Sequence, residues 1–430
     1  MNILFVHQNM PGQFKSLAPL LARQGHRVMF LTKRDDLEIP GVERFVYEAP
    51  KGPGAKTHAY VRRQEAAVRY GQQVVRAIVT LREKGFRPDL IIAHPGWGEA
   101  LFLKDICPDA RLITYAEFYY SGRGQDVGFD PDSPTDLNTL CMARARNAHL
   151  LLSLESSDAA VSPTYWQKSV HPRALQDKIE VIFDGVDVER VRPQPGAQFT
   201  LPDGRVLQRG QKVVTYVARN LEPYRGFRTF MRAVPHLQAA HPDADIVIVG
   251  GDDVSYGSSP SSHPTWREAM CAEVSFDPAR LHFVGKLPYS KFLSLLSVSA
   301  AHIYLTYPFV LSWSCFEAMA SGALVIGSDT QPVREVIEHG REGLLVDFFD
   351  HEALAAQVAD VLSHPARYEP LRAAARQRIV ERYSTARCLP AWLDLIDRVT
   401  AGQRKPSAPR RVFSVGFGGR QEGAKVAAPA

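Results

Sequence analysis

Cysteine is scarce in this 430-residue chain, and its few copies form no recognisable framework. The number is odd and no Cys-x-x-Cys spacing occurs among Cys107, Cys141, Cys271, Cys315 and Cys388. That distribution excludes a disulfide-stapled secreted domain and a cysteine-based zinc site. A reducing cytoplasm is the compartment that such cysteine usage favours.

Long hydrophobic runs are also missing. The apolar run at residues 3–6 near the start has no basic segment before it, which is typical of a buried strand and not of a signal peptide. No stretch of the sequence is long enough and apolar enough to cross a bilayer. We therefore expect a cytoplasmic protein without a membrane-spanning helix.

Before residue 401 the chain has no excess charge of either sign, with 45 basic and 45 acidic residues. The net charge of +5 comes from residues 401–430, which carry six basic residues and one acidic residue. A neutral body lacks the basic face that nucleic-acid binding needs, so we expect no nucleic-acid partner. The Gly-, Ala-, Pro- and Ser-rich tail is predicted to be disordered. Its basic pairs leave two alternatives, a solvated segment or weak peripheral contact with the inner face of an anionic membrane.

What the sequence does contain is an alternation of strand-like apolar runs with helical patterns, which predicts α/β architecture. One set of strands is predicted at 3–6, 28–31, 90–93, 112–114 and 179–183, and a second set at 213–217, 246–249, 282–284, 301–305 and 324–326. Two sets need two sheets, so we predict two doubly wound, Rossmann-like domains at 1–192 and 193–385. A helix at 386–400 is expected to pack back on the first domain, followed by the tail at 401–430. The crevice between the domains is the expected ligand site.

Polar residues follow the predicted strands of the first domain. His94 comes directly after the strand at 90–93, and Glu117 lies just beyond the strand at 112–114. Ligands of open α/β sheets bind at the carboxyl ends of the strands, so both side chains are expected to face the cleft. A satisfied structural histidine is the alternative for His94.

The segment 306–322, TYPFVLSWSCFEAMASG, predicts a serine-rich turn that leads into a helix. The free N–H groups and the positive dipole end of such a helix favour a bound phosphate, to which Ser312 is expected to contribute. Glu317, early in that helix, is then placed to hold ribose hydroxyls. The alternative, compatible with the first, is a simple amphipathic helix with a buried stripe of Trp313, Phe316 and Met319.

The second half holds an ordered series of motifs at 216–226, 246–251, 282–288, 306–322 and 332–337. Taken with GHRV at 25–28 and VIFDGVD at 181–187, the series resembles the retaining glycosyltransferases of family 4, which have the GT-B fold. The resemblance implies transfer of a sugar from a nucleotide-diphosphate sugar to a sugar, lipid-linked or other acceptor, in polysaccharide or glycoconjugate biosynthesis.

The resemblance also implies roles for residues on the donor side. Arg219 and Arg225 correspond to an arginine and a lysine that clamp the diphosphate, with arginine replacing the usual lysine at the second position. Two fixed cations stabilise the leaving group, so the resemblance implies neither a metal nor another cofactor. Lys286 corresponds to a residue bordering the nucleobase, and Ser312 stands where a glycine is usual.

In the first domain, Gly12 matches the small residues that relatives use to admit phosphates and acceptor. His94 and Glu117 match residues that contact the donor sugar, and Glu117 is expected nearest to it. The nucleophile role for Glu117 stays open beside stabilisation of an oxocarbenium-like charge.

One position departs from the family pattern. Relatives carry two glutamates separated by seven residues; Glu317 matches the second, whereas Phe309 occupies the position of the first. A carboxylate contact to the donor sugar is therefore missing. This leaves open two other functions, a non-catalytic nucleotide-sugar-binding subunit that supports a partner enzyme and a sugar-nucleotide epimerase of the same fold.

Overall fold

The computed structural model describes residues 1–133 and 135–401, so the tail predicted from residue 401 lies almost wholly outside the described part. Two parallel sheets with helices on both faces make up the described chain. No helix in this part is both long and apolar enough to cross a membrane.

The first sheet contains seven strands, all of them parallel, in the order β3-β2-β1-β4-β5-β6-β7. The central strands are buried apolar runs because helices cover both faces of the sheet. The strand bounds are β1 Asn2–Val6, β2 Arg27–Thr32, β3 Val42–Val46, β4 Leu90–Ala93, β5 Arg111–Tyr115, β6 Ala159–Ser162 and β7 Ile179–Val181.

Two of the helices of this half have side-chain N-caps. Asp136 and Thr164 accept hydrogen bonds from backbone N–H groups of the helices that they precede. The helices are α1 Leu17–Arg23, α2 Arg62–Glu83, α3 Leu103–Ile106, α4 Leu137–Ala145, α5 Ala148–Ser156, α6 Tyr165–Ser169 and α7 Arg173–Gln176. Short 3₁₀ turns at Gly12–Phe14 and Ala59–Val61 precede α1 and α2.

The second half begins with an antiparallel hairpin, β8 Gln198–Thr200 and β9 Val206–Gln208. A six-stranded parallel sheet follows, in the order β12-β11-β10-β13-β14-β15. Its strands are β10 Val213–Asn220, β11 Asp245–Gly251, β12 Leu281–Phe283, β13 Ala301–Tyr304, β14 Val325–Ser328 and β15 Leu344–Val346. Its helices are α8 Phe227–Ala240, α9 Trp266–Glu273, α10 Tyr289–Val298, α11 Trp313–Ala320, α12 Gln331–Val336, α13 His351–Ser363 and α14 Glu369–Arg378.

Both sheets therefore have the doubly wound strand order, and the prediction of an α/β fold with two such sheets is confirmed. The order reverses between β1 and β4 in the first sheet and between β10 and β13 in the second. Loops diverge at such switch points and leave a crevice for ligands at the carboxyl ends of the strands.

The last helix, α15 Thr385–Thr400, returns to the first half of the chain. Its buried Trp392, Leu395 and Ile396 belong to an apolar cluster shared with residues of β1 and β2, such as Phe5. At its end the Arg398 guanidinium forms two hydrogen bonds with the Glu180 carboxylate, at 2.9 and 2.7 Å. The helix thus ties the two ends of the described chain together.

Candidate active site between the sheets

Two predicted residues of the first sheet meet at the switch point. The Nε2 atom of His94 lies 3.4 Å from Oε2 of Glu117. His94 is almost fully buried, whereas 30% of the Glu117 side chain remains exposed. Glu117 can therefore reach a ligand while His94 supports it from behind. A small cavity opens beside them, lined among others by Thr114, Phe118, Tyr120 and His171.

Two residues that the sequence analysis did not select complete this cluster. Nε2 of Gln13 donates a hydrogen bond of 2.8 Å to Oε1 of Glu117, and Nε2 of His7 lies 2.9 Å from Oε1 of Gln13. The signal that points to His7 is its position directly after β1, at the same sheet edge as His94. Gln13 gave no such signal, because its contact joins segments 104 residues apart.

Burial raises the pKa of Glu117, but the neighbouring His94, the hydrogen bond from Gln13 and the positive charge of Arg219 outweigh it. The pKa of Glu117 therefore lies below its ordinary value, and the carboxylate stays ionised at neutral pH. The influence of Arg219 places this cation of the second sheet near the carboxylate of the first.

Gly12 has a local reason to be glycine. Its φ of +51° is a left-handed conformation, and a Cβ atom there would lie 2.5 Å from Nε2 of His7. The small residue at this position thus allows the His7 ring to lie against the loop after β1.

A buried carboxylate joins the two halves beneath the site. Asp184 accepts hydrogen bonds from the hydroxyl of Tyr115 at 2.6 Å and from Nε1 of Trp313, in α11, at 2.7 Å. Burial raises the pKa of Asp184 to about 6, although both hydrogen bonds oppose the rise. Lys15 lies 4.2 Å from the centroid of the same indole ring, so the first half holds Trp313 from two sides.

The two arginines of the second half differ in their surroundings. Arg219, near the end of β10, is exposed, and its guanidinium forms no hydrogen bond or ion pair with any residue that the structure describes. Arg225 is only 7% exposed. Its Nη1 atom donates to Oγ1 of Thr306 at 2.7 Å and to the carbonyl oxygen of Val310 at 3.0 Å. Arg225 therefore stabilises the loop before α11, whereas Arg219 is available to a ligand.

The predicted turn and helix at 306–322 are present, with α11 beginning at Trp313. The N–H of Ser312 donates to the hydroxyl oxygen of Tyr304 at 2.8 Å. The N–H groups of Trp313 and Ser314 have no acceptor among the described residues, so they can bind an anion. Glu317, one turn into the helix, accepts a 2.7 Å hydrogen bond from the Tyr289 hydroxyl.

Lys286 lies at the edge of the second sheet and is largely exposed, with its Nζ atom 3.4 Å from Oδ2 of Asp253. A Cβ at Gly251, the last residue of β11, would meet the Lys286 side chain at 2.4 Å. The lysine thus packs over the end of β11, beside Asn220 at the end of β10.

Phe309, which replaces the expected glutamate, lies in an aromatic cluster between the two halves. Its ring is 4.8 Å from that of Phe118 in the first half and 5.0 Å from that of Tyr256 in the second. Trp166 packs against the same group. The side chain at 309 is therefore part of an apolar interface and offers no polar group to a sugar.

Two further contacts hold the halves together. Both carboxylate oxygens of Glu335, in α12, accept hydrogen bonds from the N–H groups of Tyr165 and Trp166, at 2.8 and 2.7 Å. A residue of the second half thus caps helix α6 of the first. The loop after Glu117 also crosses the cleft, because Arg228 of α8 donates to Asp130 and Asp132 at 3.1 and 2.8 Å.

Comparison with known protein families gives two matches. Residues 24–191 match the model described as the glycosyl transferase family 4 group, and residues 200–378 match the model described as glycosyl transferases group 1. Together these models span most of both halves of the chain.

Two curated relatives are from Mycolicibacterium smegmatis. The chain is 27% identical to alpha-maltose-1-phosphate synthase over 58% of its own length and 65% of the relative. It is 24% identical to a GDP-mannose-dependent alpha-(1-6)-phosphatidylinositol monomannoside mannosyltransferase, over 80% of its own length and 88% of the relative. The chain thus spans less than two thirds of the length of the first relative.

Solved structures agree with the fold. Sucrose-phosphate synthase from Thermosynechococcus elongatus superposes with a TM-score of 0.70 at 18% identity, covering 93% of this chain and 99% of the other. The Anabaena protein HepE in complex with UDP-glucose gives a TM-score of 0.64 at 16% identity, covering 93% and 100%. At these identities the likeness concerns the fold alone.

Proposed function

This chain belongs to glycosyltransferase family 4, and on that premise we propose that it is a retaining enzyme that transfers a sugar from a nucleoside-diphosphate sugar to an acceptor. Its two facing doubly wound sheets form the GT-B fold that the resemblance implied, so that expectation is confirmed.

The observation that carries the proposal is the presence of opposite charges on the two sides of the cleft. An ionised, partly exposed carboxylate, Glu117, lies at the switch point of the first sheet, and Arg219, a cation with no ion pair among the described residues, lies at the end of β10 in the second. A donor in which a sugar is joined to a diphosphate matches this arrangement, because its sugar develops positive charge and its phosphate negative charge as the bond breaks.

The remaining groups of the second half fit the nucleotide. The N–H groups at the start of α11 that have no acceptor in the described part of the chain, and the guanidinium of Arg219, would hold phosphate oxygens, while Glu317 and the Tyr289 hydroxyl would bind ribose. Lys286 would border the nucleobase, as the resemblance implies. Arg225 would act on the diphosphate mainly by its charge, because Thr306 and Val310 already engage Nη1. With cations in place, the proposed reaction uses no metal.

We propose front-face transfer as the mechanism. The bond between the sugar C1 and the diphosphate oxygen breaks, the acceptor hydroxyl oxygen bonds to C1 on the same face, and its proton passes to the departing phosphate. Glu117, with the Gln13 donor at one oxygen and the His94 ring 3.4 Å from the other, stabilises the oxocarbenium-like charge or orients hydroxyl groups. An attack on C1 by Glu117 itself would have to weaken these contacts.

The acceptor and the setting follow as further parts of the proposal. The names of the relatives include a sugar phosphate and a phosphoinositide glycolipid, and both are phosphorylated carbohydrates. A sugar or lipid-linked acceptor in polysaccharide or glycoconjugate synthesis on the cytoplasmic side is the corresponding proposal here. Peripheral membrane contact through the basic tail remains a prediction.

Phe309 favours a second candidate, a nucleotide-sugar-binding subunit without catalytic activity. The aromatic cluster around Phe309 removes one family carboxylate from the sugar site, and a protein that only binds the donor does not need it. A sugar-nucleotide epimerase of the same fold is the third candidate.

The test begins with thermal unfolding of the protein in the presence of UDP, GDP, ADP and their sugars. A ligand at a hundred times its dissociation constant should stabilise the fold by about 2.7 kcal/mol. The stabilising donor is then incubated with acceptors, and the products are analysed. Free nucleotide with a new glycoside of retained configuration supports transfer, an isomerised donor supports the epimerase, and binding without turnover supports the subunit.

A further inference from the structure

The loop after β1 carries two polar residues that point to a task beyond binding the donor. We propose that His7 and Gln13 are positioning residues, which orient Glu117 for the transfer reaction through a hydrogen-bond chain of fixed direction. The inference rests on the proposed function, because Glu117 is the carboxylate assigned to the sugar.

The direction of the chain is set by a backbone group. The N–H of Asn9 donates to Nδ1 of His7 at 2.9 Å, and a backbone N–H can only donate. Nδ1 of His7 is therefore the acceptor, and the proton of the neutral imidazole is on Nε2. This N–H lies 2.9 Å from Gln13, so the atom that accepts it is the amide oxygen Oε1.

The next link follows from the first. With Oε1 of Gln13 engaged by His7, its NH₂ group is directed to Glu117, where Nε2 donates to Oε1 at 2.8 Å. The amide of Gln13 has no equivalent flipped orientation, because a flip would place its NH₂ group against the N–H of His7 and its oxygen against the carboxylate of Glu117. Each donor thus defines the orientation of the next group.

The other oxygen of Glu117 lies beside His94. The N–H of Gly96 donates to Nδ1 of His94 at 3.1 Å, so Nδ1 is an acceptor and the ring N–H is on Nε2. That atom lies 3.4 Å from Oε2 of Glu117. At the main chain, Nε2 of Gln167 donates to the Glu117 carbonyl oxygen at 2.6 Å. Hydrogen bonds from Gln13 and Gln167 therefore hold the side chain and the main chain of Glu117, and the His94 ring lies beside its second carboxylate oxygen.

Packing keeps His7 in this state. The ring is buried between Phe14, His94 and Trp97, with ring centroids 6.1, 4.9 and 5.4 Å away. Burial and the neighbouring His94 hold the pKa of His7 well below its ordinary value. A neutral ring is what the chain requires, because a protonated ring would place an N–H on both nitrogens and oppose the N–H of Asn9.

The charges around Glu117 set the expected pH response. The groups that lower its pKa are His94, Gln13 and Arg219. The opposing influences are burial and the negative charge of Asp184; the hydroxyls of Tyr115 and Tyr120 also lie within its electrostatic reach. Removing the Gln13 donor leaves the opposing influences in place, so the pKa of Glu117 should rise.

The variants are Gln13→Ala, which removes the donor, and Gln13→Glu, which keeps the side-chain length and places a like charge beside Glu117. The matched control is Gln377→Ala, because Gln377 also donates to a glutamate, at 2.8 Å from Oε1 of Glu381, and both of these side chains are exposed. Thermal unfolding of each protein establishes that it is folded.

Two readouts separate positioning from a structural role. The first is the pH dependence of kcat/KM with the donor found above. The second is a carbon-13 NMR titration of glutamate carboxyl groups, in which Glu117→Gln assigns the Glu117 signal. For Gln13→Ala we expect the acidic limb and the Glu117 pKa to rise by about one pH unit, with a larger rise in Gln13→Glu. We also expect kcat to fall about tenfold or more while the donor KM changes less than about threefold.

An unchanged Glu117 titration in folded Gln13→Ala and Gln13→Glu would overturn the positioning role, as would equal effects in Gln377→Ala. A fall in kcat with an unaltered pH profile would also overturn it, since that pattern indicates a structural role alone. If the unmodified protein transfers no sugar to any acceptor, the proposed function fails, whereas the NMR titration still decides whether Gln13 controls Glu117.

Discussion

Arg219 and Arg225 offer a direct test of the donor site, because the same substitution should have different consequences at the two positions. Arg219 is exposed and has no hydrogen bond or ion pair within the described residues. Arg225 is buried and bonded to Thr306 and Val310. We therefore expect Arg219→Ala to impair binding without affecting stability, and Arg225→Ala to impair both.

The magnitudes follow from these contacts. A charge-assisted hydrogen bond contributes about 1.5–3 kcal/mol, so losing one to a phosphate should weaken nucleotide binding about 10- to 100-fold. The stability of Arg219→Ala should stay within about 0.5 kcal/mol of the unmodified protein. Arg225→Ala loses two such bonds within the fold, and we expect it to be destabilised by about 3 kcal/mol or more.

Calorimetric titration with the best-binding nucleoside diphosphate measures the affinity, and differential scanning calorimetry measures the stability. Arg173→Ala is the matched control, because Arg173 is exposed, likewise has no hydrogen bond or ion pair within the described chain, and lies on the first half at α7. Raising the salt concentration should weaken binding to the unmodified protein more than to Arg219→Ala, because the variant has lost one phosphate-facing charge.

Unchanged affinity in Arg219→Ala would refute the donor site as built here, since this residue is the cation left free at the end of β10. An Arg225→Ala protein as stable as the unmodified one would refute the structural account of the loop before α11.

Four further results are expected. Gly12→Ala should lower stability by about 1–3 kcal/mol and reduce kcat, because the left-handed φ and the close approach to His7 both oppose a Cβ. Thermal unfolding measures the stability, and initial rates measure kcat. The raised pKa of Asp184 means that folding favours the protonated acid, so the unmodified protein should lose stability as the pH rises from about 4 to 6. Asp184→Asn lacks this titration and should gain up to about 3 kcal/mol relative to the unmodified protein over the same range. A stability difference that does not vary with pH in denaturant melts would contradict this. Glu335→Ala should cost about 1–2 kcal/mol of stability by removing the cap of α6, and faster proteolysis between the halves would report it. EDTA should leave the transfer rate unchanged, because cationic side chains are proposed to stabilise the leaving diphosphate. A loss of activity that Mg²⁺ or Mn²⁺ restores would contradict this.

The sequence was most informative where the physical signal is local. Central strands such as β1 and β4 are unbroken apolar runs, and they were predicted to within a residue or two. Strand β3 was not predicted, because it lies at the sheet edge and none of its residues is fully buried. Strand β6, AAVS, was missed as well, since its small residues give little hydrophobic signal.

The residues of the site likewise divide into those with a local sequence signal and those without one. His94 and Glu117 could be selected because strand ends mark the ligand edge of a sheet, and the structure brings them together. Gln13 could not be selected, since its role depends on a contact between distant segments. The sequence also gave no sign that Arg219 and Arg225 differ, because burial of an arginine depends on the loop that folds over it.

The cap that Glu335 provides to helix α6 limits how this enzyme could be recombined with its relatives. A chimaera that keeps one half and replaces the other leaves the amide groups of Tyr165 and Trp166 without their acceptor, or a glutamate without its donors. Exchange of the halves therefore keeps this cap only where a second half with an acceptor at position 335 meets a first half with free backbone N–H groups at positions 165 and 166.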